Sequence, residues 1–360
     1  MNGIGLRGVN IVVKITKISI GVAGFGNVGR AFIRKIINED MYIRDKFNIE
    51  IKVKFIADSK GALIGNPYID KNILMRALEI PRGKVSSLPG GVPGLSVLEL
   101  IQEIQVDYLI DVTPSNYVDA EPSRTYLTKA INNNINIVTA NKGPLALYFK
   151  ELMDLAKSKG IDIRYKACVM AGTPLIDLLS YGLLGRKITE IMGILNGTSN
   201  YILGLLEKGL SLKQAIRLAQ DKGYAEPDPS LDLKGLDIAA KTSIISSTIG
   251  KYLTIKDVEI IDVIDENVVT KIRGLKQDYR IKYISHIVIN GSSARAYVKL
   301  IEVTKDSPLY NVDGIMNGVL IKVADGAKIY LEGPGAGPEV TAASLLSDLL
   351  LSIKLRYHRR

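Results

Sequence analysis

Residues 17–37 read KISIGVAGFGNVGRAFIRKII. A short β-branched run, 17–23, breaks into Gly24-Phe25-Gly26-Asn27-Val28-Gly29 and then takes up helical spacing over 30–37. This is strand, glycine turn and helix. Gly24 permits the tight turn, Gly26 lets a pyrophosphate approach the backbone, and Gly29 lets helix and strand pack closely. The helix N-terminus then faces the phosphates. The six residues Gly24 to Gly29 are therefore the candidate dinucleotide-binding turn.

Working outward, the next strand, 51–57, ends in Asp58-Ser59-Lys60-Gly61. An acid at this point suits the ribose hydroxyls of NAD, while a nearby cation suits the 2′-phosphate of NADP. Asp58 and Lys60 pull in opposite directions, so dual use of NAD and NADP is expected. Residues 81–94 are rich in glycine and proline and read as an exposed loop before a helix at 96–102. Strand 108–112, the turn Thr113-Pro114-Ser115, helix 120–132, strand 135–139 and helix 145–158 continue the alternation. Strands and helices at this spacing predict an α/β, Rossmann-like, doubly wound parallel sheet. Ligands of such sheets bind beyond the carboxyl ends of the strands, where Thr113 and Lys142 fall.

After a strand near 161–165 the periodicity changes. Residues 188–194 read as a strand that ends in Leu195-Asn196-Gly197-Thr198-Ser199-Asn200, with a helix from Tyr201. That turn offers free backbone N–H groups and hydroxyls to a carboxylate, or else simply caps its helix. Strand-like stretches at 281–289, 294–303 and 319–323 make a mostly antiparallel sheet. A Gly/Pro turn, 333–338, precedes a helix at 341–351. The reading is a dinucleotide-binding domain over 1–150, completed by 333–360, and an α+β domain over 151–332.

The densest chemistry lies in AQDKGYAEPDPSLDLKGLDIAAK, residues 219–241. Asp237 and Lys241 stand at i,i+4, so on a helix both heads share one face. Glu226-Pro227 and Asp228-Pro229 stiffen the loop that precedes it. Apolar Leu231, Leu233, Leu236 and Ile238 surround the charges and imply partial burial, which is costly for charges without a use.

With 360 residues and 47% hydrophobic composition, the chain is long enough for two domains with cores of their own. The apolar run 11–13 is too short for an anchor or signal peptide; residues 1–16 read as an extension that adds an edge strand, and the chain is placed in the cytoplasm. Cys168 is the single cysteine, with only two histidines, His286 and His358, far from it in sequence. A structural thiol is favoured over a nucleophile, and a histidine-rich zinc site is disfavoured. The net charge of +10 raises nucleic acid as a partner, but the basic residues are scattered among acids except in the tail from Lys354 and Arg356 to Arg360. Neither a nucleic-acid nor a membrane partner is expected.

Window 219–241 resembles the signature of homoserine dehydrogenases: A-x3-G-Y, then D-P, then D-L-x-G-x-D, three more residues and a lysine. TANKGPLA, 139–146, and GILNGTSNYIL, 193–203, are similar to further patterns of that family. The resemblance spans about residues 17–351. It implies NAD(P)-dependent interconversion of L-homoserine and L-aspartate 4-semialdehyde in threonine and methionine biosynthesis. Lys241 is then the proton carrier, oriented by Asp237, with Lys142 a second cation and alternative carrier. Glu226 and Asp232 would hold the substrate ammonium, and Gly197, Thr198 and Asn200, with the backbone near Tyr224, its carboxylate. Gly335 would lie near the nicotinamide, and the later sheet would support a homodimer. The rivals are another amino-acid dehydrogenase, a semialdehyde dehydrogenase using a thiol, and a non-catalytic nucleotide and amino-acid sensor.

In the family, a turn beginning E-A-x-V-x-A-G holds a sodium or potassium ion through main-chain carbonyls, here those of Val169, Ala171 and Thr173. Lys166 replaces the acid. Either its ammonium weakens or substitutes for the ion, or it points to solvent. Regulated members append an effector domain after the final helix; the sequence implies a monofunctional chain without one.

Overall fold

The computed structural model describes residues 15–357. The extension expected to add an edge strand lies, up to residue 14, outside the described residues, as does the tail from His358; β1 opens at Thr16. Seven strands form the first sheet: β1 (Thr16–Ala23), β2 (Ile49–Asp58), β3 (Gly61–Ile64), β4 (Gly91–Pro93), β5 (Tyr108–Asp111), β6 (Asn136–Thr139) and β7 (Ile163–Arg164). Their order is β4-β3-β2-β1-β5-β6-β7. The run β2-β1-β5-β6-β7 is parallel, and β3 and β4 add an antiparallel edge. Strand order reverses at β1, and the crevice this creates lies at the carboxyl ends of β1 and β5.

Residues 81–94 are more ordered than a loop reading allows. Val85 is fully buried, and Gly90 and Gly94, both at positive φ, turn the chain so that 91–93 pairs with β3 as β4. Glycine supplies those conformations without a Cβ penalty. What reads as an exposed loop is exposed along much of its length but holds a tight edge ribbon.

The second sheet comprises β8 (Ile188–Ile194), β9 (Val258–Ile260), β10 (Tyr279–Asn290), β11 (Ser293–Thr304), β12 (Met316–Val323) and β13 (Lys328–Pro334), in the order β13-β12-β8-β10-β11-β9. All neighbours are antiparallel except β9 with β11. One face packs on the helix Leu236–Thr248, in which every residue from Ile238 to Ser247 is buried. Burial on all sides explains why this helix lacks an apolar stripe. Its polar side chains bond inward: Thr242 Oγ1 donates to Ile238 O, and Ser243 Oγ to Ala240 O. Gly235 begins the helix at φ +77°, and a Cβ there would sit 2.3 Å from the Tyr283 hydroxyl, so only glycine fits.

The helix Pro338–Tyr357 crosses back to the first sheet. Ala342, Leu345, Leu346, Leu349 and Ile353 enter the same core as Ile18, Ile20, Phe32 and Ile33. At roughly 1.5–3 kcal/mol for each fully buried large aliphatic side chain, this contact fastens the chain's end firmly to its beginning.

Candidate active site

The glycine turn has the geometry a dinucleotide requires. Gly24 takes φ +97°, and a Cβ on it would strike Val112 O at 2.7 Å; a Cβ on Gly29 would lie 2.3 Å from Gly24 O. Gly26, by contrast, has nothing within 4 Å of its Cβ position, and it begins the helix Asn27–Asn38 with no side-chain cap. Open space in front of uncapped helical N–H groups fits a pyrophosphate. Phe25 is buried beneath the Arg30 guanidinium, 4.7 Å from ring centroid to Cζ, and Val28 is half-buried. Thr113 turns its hydroxyl into the scaffold, donating to the buried Asp111 at 2.7 Å, so only its main chain faces the crevice.

At the ribose end, the Asp58 carboxylate accepts Lys60 N at 2.8 Å and Val85 N at 3.0 Å, pinning the 82–85 turn beside it. That turn brings Arg82, which sequence reasoning missed, onto Asn27 Oδ1. Arg30 lies close enough to Arg82 and Asp58 to feel both. Burial first, then Arg82, depress its basicity, and its Nη2 is buried without a partner. Lys60 is exposed and borders Gly83. The signal in the sequence was a cation inside a Gly/Pro stretch, which on its own reads as solvated.

Across the crevice, the other half of the chain presents Asp237 as a hub. Lys241 Nζ donates to Asp237 Oδ2 at 2.7 Å and to Leu195 O at 2.7 Å. Lys142 Nζ lies 3.5 Å from Asp237 Oδ1, and the Tyr117 hydroxyl donates to the same oxygen at 3.5 Å. Asn196 Nδ2 reaches Asp237 Oδ2 at 2.9 Å and Asp232 Oδ1 at 2.7 Å. Burial pushes the Asp237 carboxyl up, but Lys241 and then Lys142 overrule it and hold it well below the usual carboxylate range. The Tyr117 oxygen and Asp237 keep the Lys142 ammonium above the ordinary lysine value despite burial. Asp232 shifts the other way, raised by burial and by Asp237. The site thus holds two ammonium groups, a fully served carboxylate, and a second carboxylate in need of a cation.

Lys142 is not in a loop. It is the first residue of the helix Lys142–Lys159, capped by Asn141 Oδ1 on Gly143 N. Likewise Gly197 to Asn200 are the first turn of the helix Gly197–Glu207, capped by Asn196 Oδ1 on Ser199 N at 2.8 Å. The cap leaves the Gly197 and Thr198 N–H groups at the helix mouth, aimed at an anion. Thr198 Oγ1 donates to Tyr224 O at 2.6 Å, tying the 219–226 segment to this mouth. Asn200 is not at the mouth: its buried amide donates to the carbonyls of Val312, Gly314 and Met316 and braces that loop. Glu226 is exposed, with only its main-chain carbonyl bonded, by Gln220 Nε2 at 3.3 Å. Asn196 and Tyr117 complete the cluster and were not singled out from sequence.

Cys168 is buried against Thr139 O and Asn141 O, and burial pushes its thiol strongly up. A thiol this buried and raised makes a poor nucleophile, which counts against the thiol-based rival. In the turn after it, Ala171 N donates to Gly335 O and Gly172 N to Pro334 O, while Ser344 Oγ donates to Ala171 O. Lys166 does not point to solvent. Its buried ammonium contacts Asp177, Ser347 Oγ at 3.1 Å and Asp348 Oδ1 at 3.6 Å.

Comparison with known proteins agrees with this geometry. The family profile "Homoserine dehydrogenase, NAD binding domain" matches residues 24–166, and "Homoserine dehydrogenase" matches 174–350. A homoserine dehydrogenase of Sulfurisphaera tokodaii is 38% identical over 329 residues, 91% of this chain and 96% of the relative. One of Methanocaldococcus jannaschii is 37% identical over 333 residues, again 91% and 96% of the two chains. A solved hyperthermophilic archaeal homoserine dehydrogenase in complex with NADPH superposes with a TM-score of 0.79 at 30% identity, covering 93% of this chain and 97% of that one. With both halves matched, the glycine turn open for a dinucleotide and the lysine–aspartate hub facing it, the chain belongs to the homoserine dehydrogenase family of nicotinamide-dependent oxidoreductases.

Proposed function

We propose that the residues around Asp237 carry out the interconversion of L-homoserine and L-aspartate 4-semialdehyde, with Lys241 as the proton carrier. The observation that carries this reading is the pairing of that hub, on one side, with an uncompensated carboxylate, Asp232, and a free helix mouth, Gly197 and Thr198, on the other. A zwitterionic amino acid satisfies all three. Its ammonium neutralises Asp232, its carboxylate meets the two N–H groups, and its C4 oxygen reaches the lysines.

The bound nicotinamide supplies or accepts the hydride at C4. Lys241 has spent two of its three N–H bonds, on Asp237 and Leu195 O, and the third is free for the substrate oxygen. In reduction, this ammonium gives its proton to the developing alkoxide, and solvent restores it. In oxidation, the neutral amine takes the proton from the C4 hydroxyl. Asp237, saturated by four donors, keeps its charge throughout and orients the lysines. Gly335 O accepts Ala171 N, which ties the 333–338 turn to the 169–173 turn, and this supports its expected place near the nicotinamide.

The test is steady-state oxidation of L-homoserine, with NADP and with NAD, against 4-hydroxybutanoate, which keeps the carboxylate and the C4 hydroxyl and lacks only the ammonium. Leaving buried polar groups unpaired costs a substrate analogue on the order of 10³ or more in kcat/KM. Turnover of homoserine with that margin is the expected result. Comparable turnover of the analogue would contradict the site assignment, and no turnover with either cofactor would favour the sensor reading.

For cofactor choice, three cations, Arg30, Arg82 and Lys60, against one carboxylate, Asp58, support a preference for NADP with residual use of NAD. For the monovalent cation, Lys166 turns its ammonium to Asp177, Ser347 and Asp348, and Ser344 already bonds Ala171 O. This supports function without sodium or potassium at Val169, Ala171 and Thr173.

The two sheets support a division into two domains, with the first running past residue 150, because β7 (Ile163–Arg164) pairs with β6 in the first sheet. Met192, Leu320, Tyr330, His286 and Tyr297 form a cross-strand row on the sheet face away from the Leu236–Thr248 helix, and they support a homodimer. Sedimentation equilibrium checks this: a monomer at micromolar concentration would refute it. No helix among the described residues is long and apolar enough to cross a membrane. A nicotinamide-dependent reaction and a buried free thiol support a cytoplasmic location, which fractionation of the native host tests.

A further inference from the structure

We infer that Lys282 is a positioning residue: with the Asn200 amide, its buried ammonium clamps the 312–316 loop against the first turn of the Gly197–Glu207 helix and so sets the N–H groups that receive the substrate carboxylate. The inference deepens the reading of the helix mouth given above and rests on it. Lys282 lies on β10, is 2% exposed, and bonds none of the groups around Asp237. An ammonium that deep is costly unless its N–H groups are used. Here Nζ donates to Val312 O at 2.6 Å and to Asn200 Oδ1 at 3.4 Å, and lies 3.6 Å from Asp313 Oδ1.

Asn200 completes the clamp from the helix side. While its Oδ1 accepts from Lys282, its Nδ2 donates to Val312 O at 3.1 Å, Gly314 O at 3.0 Å and Met316 O at 3.4 Å. Val312 O therefore accepts from both side chains, and Met316 N closes the loop on Asp313 O at 3.1 Å. Gly197 precedes Asn200 by three residues and so shares its helix face. It meets the loop directly: a Cβ there would sit 2.6 Å from Ile315 O and 3.1 Å from Ile315 C. The Ile315 peptide is thus the wall against which the turn carrying the Gly197 and Thr198 N–H groups is seated.

The same strand fixes the other end of both elements. Arg280 precedes Lys282 by two residues, so the two side chains leave one face of the sheet. Arg280 Nη1 donates to Tyr310 O at 2.9 Å, and Nη2 reaches Asp313 Oδ1 at 2.7 Å and Glu207 Oε2 at 2.6 Å, at the last residue of the helix. The strand therefore holds the helix at both ends, at Glu207 through Arg280 and at Asn200 through Lys282, with the loop between. Burial and then Arg280 draw the Lys282 ammonium down to about 8, against Asp313 and Glu207. Its hold on the loop is by directed, charge-assisted hydrogen bonds to uncharged oxygens, and these can be deleted while Arg280 stays paired.

Lys282→Met keeps the apolar stem and deletes the ammonium. One readout needs no turnover: amide hydrogen exchange followed by mass spectrometry. Peptides over 197–200 and 312–316 are expected to exchange roughly tenfold faster in the variant, while the glycine turn at 24–29 exchanges as before. The second readout is kinetic. KM for homoserine should rise roughly tenfold with kcat within about twofold, and inhibition by 4-hydroxybutanoate should weaken by the same factor. Inhibition by 3-aminopropan-1-ol, which has the hydroxyl and the ammonium but no carboxylate, should stay unchanged. Asp313→Ala, at an exposed position that does not threaten the fold, should raise KM in the same direction by roughly two- to threefold. Unchanged exchange, or faster exchange with an unaltered KM, would overturn the inference. So would equal weakening of both inhibitors, since that pattern marks a merely structural lysine. Should Lys282→Met fail to fold, Asp313→Ala decides by the same readouts. Absence of homoserine turnover in the unmutated enzyme would sink the proposed function, while the exchange comparison still decides whether Lys282 holds the loop.

Discussion

Two buried clusters of lysine and aspartate, built from the same groups, do opposite things. Around Asp237, two ammonium groups meet two carboxylates, yet Lys241 retains a free N–H and Asp232 lacks a cation. Around Lys166, every N–H of the ammonium has a partner, although one cation serves two carboxylates. Its ammonium meets Asp177, Ser347 and Asp348, and its main-chain N–H donates to Asp348 Oδ2 at 2.9 Å. Asp348 sits on the C-terminal helix, and Asp177 on the segment that opens the second half, so this cluster joins the two. Burial alone does not mark a site; unspent hydrogen-bonding capacity facing a crevice does.

The largest expected effect is on the closed cluster. Lys166→Met leaves the buried Asp348 and the half-buried Asp177 without their cation, and breaking such a group costs up to about 3–5 kcal/mol of stability. Denaturant unfolding measures it. Lys166→Glu gathers three carboxylates in one place, so its melting temperature should rise with added sodium or potassium where that of the unmutated protein does not. If both variants melt like the unmutated protein, the cluster is no fastening. Burial also pushes the Asp348 carboxyl up to about 7, against the pull of Lys166. A raised carboxyl contributes stability below its unfolded value and loses it as pH rises through about 7, so the weld is tightest on the acid side.

A smaller effect is expected at the cofactor. Arg82→Ala removes one of three cations near Asp58, and a preference for NADP over NAD should fall roughly tenfold, about 1.4 kcal/mol. Lys60→Ala, at an exposed position, should shift it less in the same direction. Ratios of kcat/KM for the two cofactors check both; equal ratios in all three proteins would remove these residues from the ribose end.

Much of this was legible in the sequence where the signal is local. GFGNVG announced the turn because each glycine has its own steric duty within six residues. Asp237 and Lys241 announced the hub because i,i+4 spacing places them together on any helix. Helix starts were misread for a definite reason. Gly143-Pro144 and Gly197 look like loop residues, yet a helix's first turn tolerates both, since its N–H groups lack partners in any case. Hence Lys142 and Thr198 sit on helices. Tyr117, Asn196 and Arg82 were invisible because their value comes from loops brought together by the fold. Asn200 misled in the other direction, because a motif records that a residue matters but not which way it points.

The most direct test of the account sets the two clusters side by side, in kcat for homoserine oxidation by Lys241→Ala and by Lys166→Met, each measured below its own melting temperature. General acid–base groups contribute about 10² or more to rate. The account predicts that Lys241→Ala, destabilised but folded with Lys142 still on Asp237, binds NADPH normally and loses at least that factor, whereas Lys166→Met turns over within a few-fold of the unmutated enzyme despite its lower stability. Near-normal turnover by Lys241→Ala, or a collapse of kcat in properly folded Lys166→Met, would contradict it.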